Sequence, residues 1–271
     1  MSFEAFNAAI DGLTLPDPSG PTPPILFICG TPRSGTTILC QSLAYAGELG
    51  TITNLIARFA SNPRLGVLLH QALDQPKTFT GRSDFGRTEG LTEPHEFGLG
   101  WTNLLGFDAL QEPPPGVTPG PDAIARIELL ARQFAQPVVF KSFAYIWFIE
   151  ELAKALPSSL WLHVTRQPAA AAKSLEKLYK ARNLDRDAEA FTSATARRTR
   201  ERAAGLSLSE RTRAQVDDID AHIAKAFGAL PGTRQLTLPI EDYQSDAIAA
   251  TRRVLDHFQL PIDQARLESL K

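Results

Sequence analysis

Backbone amides at the start of a helix, approached through glycines, form a ready-made anion site. Residues 30–37 have the composition of such a site: Gly30-Thr31-Pro32-Arg33-Ser34-Gly35-Thr36-Thr37 follows an unbroken apolar run, Ile25-Leu26-Phe27-Ile28-Cys29, and opens a helical stretch. Ser34, Thr36 and Thr37 add hydroxyl donors, and Arg33 puts a cation inside the loop. Two more cations follow apolar runs of the same kind. Lys141 closes Val138-Val139-Phe140, and Arg166 comes shortly after Leu160-Trp161-Leu162-His163-Val164. Arginine offers phosphate a planar fork of donors, whereas lysine offers a compact point charge.

Each apolar run is short enough to be a strand buried on both faces, and helical patterns separate them. After 25–29 a helix is expected from Thr36 to about Tyr45. Residues 50–110 are rich in Gly, Thr and Asn and read as irregular helices and long loops. Glu112-Pro113-Pro114-Pro115-Gly116, with Pro119 and Pro121, is a break. Ile124, Ile127, Leu130, Ala131 and Phe134 then mark one face of an amphipathic helix. A helix over 144–155 follows the second run, and Pro168 opens the one after the third. Residues 182–227 read as helical and arginine-rich, Gln235–Leu238 as a fourth strand, and 245–258 as a last helix. This alternation predicts a three-layer, P-loop-like α/β fold with a central parallel sheet flanked by helices, plus helical and loop elaborations. The proline-rich residues 1–24, with a short helix around Phe3 and Phe6, read as a lead-in segment, and 25–271 as one domain.

The loop spacing matches the triphosphate-binding pattern G-x-x-x-x-G-K-[ST] except that Thr36 replaces its lysine. No strand ends in an aspartate placed to hold Mg²⁺. Instead, Thr31–Thr37 resembles the P-[KR]-S-G-T-T phosphosulfate loop of sulfotransferases that use 3′-phosphoadenosine 5′-phosphosulfate (PAPS) and release PAP. The resemblance implies that Pro32, Arg33, Ser34, Gly35, Thr36 and Thr37 hold the 5′-phosphosulfate, with Arg33 against the sulfuryl group. It also implies that Arg166 and Ser174, eight residues on, hold the 3′-phosphate, and that Lys141 lies beside the sulfuryl group. Leu238-Pro239-Ile240-Glu241-Asp242-Tyr243 resembles a structural stretch after the family's final strand. Three departures stand out: Ala170 replaces a common acidic residue, the family's late glycine-rich element is missing, and Phe143 occupies the place of a catalytic histidine. The proton acceptor must then come from elsewhere. Glu93-Pro94-His95-Glu96-Phe97 is the best segment, with Glu93 the first choice, followed by Glu96 and His95.

These residues predict sulfuryl transfer from PAPS to a hydroxyl or amine of a small-molecule or carbohydrate acceptor, without a metal. A degenerate nucleotide-binding interaction module and a small-molecule kinase are the competing readings. A formal net charge of −2 gives no footprint for bulk nucleic-acid binding. Interleaved acids argue that the arginines of 182–213 form a salt-bridged surface, with one or two closing over the donor. Cys29 and Cys40 make neither a disulfide framework nor a metal cluster, and Cys29 reads as a buried small hydrophobe. No apolar stretch approaches membrane-spanning length, so membrane insertion is not expected and the cytoplasm is the expected location. A homodimer stays open. Phe97-Gly98-Leu99-Gly100-Trp101, with Leu104, Leu105 and Phe107, reads either as acceptor pocket or as core.

Overall fold

Apolar runs that must be covered on both faces assemble into one parallel sheet. The computed structural model, which describes residues 1–107, 110–187 and 189–270, places β1 at Ile25–Gly30, β2 at Val138–Lys141, β3 at Ser159–Thr165 and β4 at Gln235–Pro239. The stretches 50–110 and 182–227 and the domain 25–271 each include residues outside that set. All strand pairs are parallel, in the order β2-β1-β3-β4. This is the expected α/β architecture. From β1 the chain goes outward to β2, then returns to β3 on the opposite side. The crevice beyond the C-terminal ends of β1 and β3 is therefore a topological switch point, where open α/β sheets bind ligands.

Side chains alternate across β1, so two cores form. Ile25, Phe27 and Cys29 enter the first, with Trp161 and with Ile219, Ile223 and Phe227 of α9 (Leu208–Gly228). Phe27 stacks on Trp161 at 4.6 Å between ring centroids and meets Tyr145 edge-on at 4.9 Å. Leu26 and Ile28 enter the second core, with Leu39 and Leu43 of α2 (Thr36–Ala46) and Val254 and Leu255 of α11 (Ala247–His257). Both cysteines are buried, and burial pushes the Cys40 thiol up to about 11. Phe97, Trp101, Leu104 and Leu105 belong to the first core, whereas Leu99 is exposed.

Several elements depart from the sequence expectation. Within 50–110, α3 (Pro63–Ala72) and α4 (Gly98–Leu105) are regular helices, α3 carrying proline in its first turn. The 144–155 helix is a 3₁₀ turn, Ile146–Phe148, followed by α6 (Ile149–Ala155). The 182–227 helix is broken. α7 (Pro168–Ala181) stops at Arg182, Asn183 takes the left-handed conformation (φ +55°), and helix resumes only at α8 (Arg197–Arg202) and α9. The buried Gln215 amide donates to Thr192 O, Ala194 O and Thr195 Oγ1, so those backbone groups are satisfied without a helix. The helix expected over 245–258 is α11, begun at Asp246, whose carboxylate accepts from Ala249 N–H as an N-cap, but a short helix, α10 (Ile240–Ser245), precedes it and another, Gln264–Glu268, follows it. The lead-in helix α1 (Phe3–Ile10) docks through Asn7, whose amide donates to Arg58 O and accepts from Ser61 N–H.

Tyr145 ties the functional ends of two strands together. Its buried hydroxyl lies 2.9 Å from Ile28 O on β1 and 2.7 Å from Phe140 O on β2, and it accepts from Ser142 N–H at 2.9 Å. Lys141 sits between the last two of these groups. Tyr145→Phe leaves buried backbone groups unpaired and is expected to cost about 1–3 kcal/mol, read as a lower urea midpoint at unchanged slope.

Candidate active site

The loop after β1 forms as a sharp strand-to-helix turn that glycines permit. Gly35, the N-cap of α2, has φ +93°, and a Cβ there would lie 2.5 Å from the Ile240 side chain. Both its conformation and the close approach of α10 exclude a side chain. Gly30 is equally enclosed: an added Cβ would lie 2.5 Å from Ser34 Oγ and 2.7 Å from Val164 O. Arg33 itself is left-handed, φ +71°. Ser34 is fully buried, and its Oγ has no hydrogen-bond partner among the described residues. A buried hydroxyl aligned with orphan helix amides suits an incoming anion.

Around this loop the fold gathers cations. Arg166, just beyond β3, donates to Arg33 O at 2.8 Å, and Arg33 Nε donates to Ser174 Oγ on α7 at 3.1 Å. Burial holds the Arg33 pKa below its usual value, the Arg166 and Arg182 charges push the same way, and Asp84 opposes them. Such repulsion is relieved by an anion, so this is an electrostatic socket. Helix α10 braces it. Ile240 fills the space over Gly35, Glu241 accepts from Gln167 N–H at the start of α7 (3.2 Å), and Tyr243 bonds Ser42 of α2 (2.6 Å).

Lys141 continues the Val139 face of β2, toward α2, and is 5 % exposed. It pairs with Glu96 at 3.3 Å and lies 5.9 Å from the centre of the Phe143 ring. Gly86 overlies it: a Cβ there would stand 3.6 Å from Thr37 Oγ1 and 3.9 Å from Lys141 Nζ. The next residue back, Phe85, covers the Arg33 guanidinium at 5.2 Å. The Asp84–Arg87 turn thus reaches over both the loop and the lysine.

The sequence-predicted residues therefore fall into two adjoining groups. Arg33, Arg166 and Ser174 meet on the α7 side, while Thr37, Lys141 and Glu96 meet on the α2 side. Arg33 was expected beside the sulfuryl position with Lys141, but its side chain is bonded on the α7 side. Glu93 is buried and fully engaged, accepting from Gln41 Nε2 (2.6 Å), Thr80 N–H (3.2 Å) and Thr78 Oγ1 (3.4 Å). Glu96 keeps one oxygen, Oε1, buried without a partner among the described residues. His95 accepts from Phe97 N–H at 2.8 Å through Nδ1. Sequence reasoning missed Phe85, Gly86 and Gln41, which no motif marks. Of the arginine-rich stretch, Arg182 lies close enough for its charge to act on Arg33, while its guanidinium donates to Thr192 Oγ1 at 2.6 Å. Arg198 and Arg202 pair with Asp218, and Arg213 pairs with Asp217, as a salt-bridged surface. Arg211 is buried, donating to Leu184 O and Asp187 O beneath Tyr179 and Phe191. Among the described residues no cluster of His, Cys, Asp or Glu is arranged to hold a metal ion, and no helix is long and apolar enough to cross a membrane.

A family model described as "Sulfotransferase family" matches residues 24–264. Among solved structures, a sulfotransferase from Mycobacterium avium superposes with a TM-score of 0.61 at 15% identity, covering 92% of this chain and 68% of that one. A sulfotransferase from Mycobacterium tuberculosis H37Rv gives 0.56 at 14% identity, covering 93% and 72%. The sulfotransferase domain from the curacin biosynthetic pathway gives 0.52 at 14% identity, covering 93% and 79%. At these identities the likeness is one of fold. No curated protein sequence gives a significant match.

The cation socket predicts stabilisation by simple dianions. Millimolar inorganic sulfate or phosphate should raise the melting temperature more than chloride at equal ionic strength, through preferential binding to the folded state. Arg166→Ala should remove most of that increment, as read by differential scanning fluorimetry.

Proposed function

Since the chain belongs to the sulfotransferase family, we propose that its donor is PAPS and that it delivers the sulfuryl group to an acceptor hydroxyl, an amine being the alternative nucleophile. The observation that carries this reading is the placement of two cationic groups at one loop lacking the triphosphate-binding lysine. Ser34, Gly35, Thr36 and Thr37 suit the 5′-phosphosulfate. Arg166, Ser174 and Arg33 suit the 3′-phosphate, with Arg182 close to Arg33. The unpartnered Ser34 hydroxyl and the partly buried Arg33, repelled by Arg166 and Arg182, support the fit. Neither competing reading, a kinase or an interaction module, accounts for a cationic socket at that second position.

PAPS supplies an activated sulfuryl group. Everything else falls to the protein. Lys141, buried at the end of β2 and lying with Thr37 beneath Gly86, is the cation at the reacting end. As the acceptor oxygen bonds to sulfur, the bond from sulfur to the 5′-phosphate oxygen breaks, and Lys141 offsets the negative charge left on that oxygen. Glu96 takes the acceptor proton. Its buried Oε1 has no hydrogen-bond partner among the described residues, whereas both Glu93 oxygens already accept hydrogen bonds. Movement of the Lys141 charge from Glu96 toward the leaving oxygen makes Glu96 more basic when the proton must be taken. Glu93 holds Gln41 and residues 78–80 in place.

Calorimetry should find PAP bound in the micromolar range without Mg²⁺, and ATP bound far more weakly. Arg166→Ala should cost PAP about 1.5–3 kcal/mol and Arg33→Ala a similar amount, while adenosine 5′-phosphosulfate, lacking the 3′-phosphate, should lose little. Tight Mg-ATP binding with no PAP binding would overturn the donor assignment.

Turnover with labelled PAPS separates the two glutamates. Glu96→Gln should lower kcat by about 10²–10⁴-fold while leaving PAP affinity intact. Glu93→Gln should act mainly on stability, by about 1–3 kcal/mol, because its amide presents a donor where the carboxylate accepts. Lys141→Ala should lower kcat more than PAP affinity. Full activity of Glu96→Gln beside a dead, well-folded Glu93→Gln would return the base to Glu93.

A further inference from the structure

A cavity of about 530 Å³ opens beside the Glu93–Phe97 segment. Its apolar walls come from Phe3, Leu91, Phe97 and Leu99, and its polar lining includes Arg58 and His95. Leu91 and Leu99, both on its wall, are 62% and 52% exposed and so offer apolar surface to a ligand there. The size falls within the range of small-molecule sites, which are mostly apolar with a few placed polar groups. His95 links it to the chemistry, since it directly precedes Glu96 and feels the Lys141 charge. The Phe97 N–H bonded to Nδ1 leaves Nε2 to carry the proton in the neutral ring. Partial burial, with Lys141, Arg58 and Arg87, holds the His95 pKa below its usual value against the pull of Glu96.

Resting on the donor reading above, we propose that this cavity is the acceptor site, and that its acceptor is a hydroxyl compound with an apolar, ring-bearing body and a carboxylate. The ring of Phe3 and the two exposed leucines cover the body. Arg58, exposed at the cavity and engaged through its side chain in no ion pair among the described residues, meets the carboxylate. Nε2–H of His95 donates to the acceptor oxygen on the way to Glu96. A second cavity, about 290 Å³, lies between α2 and α3. It fits the role less well, because the charge of its Lys77 is already used on Ala44 O and Leu49 O, where it caps the end of α2.

The test uses two isosteric probes, para-hydroxyphenylpropionate and para-propylphenol, with labelled PAPS and the full chain. The carboxylated phenol should have the higher kcat/KM, by on the order of tenfold. Arg58→Ala should erase that preference by raising KM for the carboxylated probe alone, and Leu99→Glu should raise KM for both. PAP affinity, measured on every variant, should not move. Equal use of the two probes by the wild type, or a preference unaffected by Arg58→Ala, overturns the proposal. So does a shift of KM on Gln71→Lys in the smaller cavity without one on Leu99→Glu. Failure of either phenol to bind or react while PAP binds normally overturns the acceptor assignment alone, whereas failure of PAP to bind overturns the donor reading on which it rests.

Discussion

A partly buried arginine repelled by neighbouring cations is unfavourable unless something negative joins it, and the rest of this site is built around Arg33. Arg33 is desolvated and repelled by Arg166 and Arg182, with Asp84 as counterweight. The energy that keeps the group together comes from distant packing: the stacked Phe27–Trp161 pair, the Tyr145 hydroxyl joining β1 to β2, and the two apolar cores on either side of the sheet. A scaffold of this kind spends stability in advance on electrostatic preorganisation, which is where most transfer enzymes gain their rate.

The position of the site follows from the sheet order. Because β2 and β3 lie on opposite sides of β1, the loop after β1 opens into a crevice with Lys141 on one flank and Arg166 on the other. Register matters at single-residue resolution. Ile28 pairs with Lys141, and Gly30 pairs with Val164, two residues before Arg166. A one-residue slip of β2 would turn Lys141 to the opposite face and into the aromatic core. Tyr145 guards against that slip by bonding both strands at this level. On the other side, α10 secures the loop from above with Ile240, and α7 and α2 with Glu241 and Tyr243.

The carboxylates show how environment assigns roles to chemically identical groups. Glu93 and Glu96 are three residues apart. One is surrounded by three donors and serves as a strut, whereas the other faces a lysine and retains an open oxygen. Phe143, which cannot accept a proton, lies near the same lysine that Glu96 pairs with. The Asp84–Arg87 turn covers the same region from outside, with Gly86 permitting an approach to Thr37 and Lys141 that a larger residue would obstruct.

What the sequence determined by itself was local. The apolar runs specified buried strands, the Gly30–Thr37 octamer specified a sharp strand-to-helix turn, and Pro168 specified a helix that begins after Arg166 and carries Ser174. Each depends on chain neighbours, so hydrophobic pattern and turn chemistry suffice to read it. The acidic residues interleaved with Arg198, Arg202 and Arg213 likewise announced a salt-bridged surface. Tertiary structure decided whatever depended on partners far along the chain. That Glu93 is tied to Gln41 across 52 positions and that Arg33 turns to Ser174 across 141 are long-range facts with no local signature. The break of helix after Asn183 belongs with them, because Gln215, on another helix, satisfies the freed backbone groups. Sequence pattern fixes which groups are available, but hydrogen-bond satisfaction in a closed, low-dielectric space fixes which of them remain free to act.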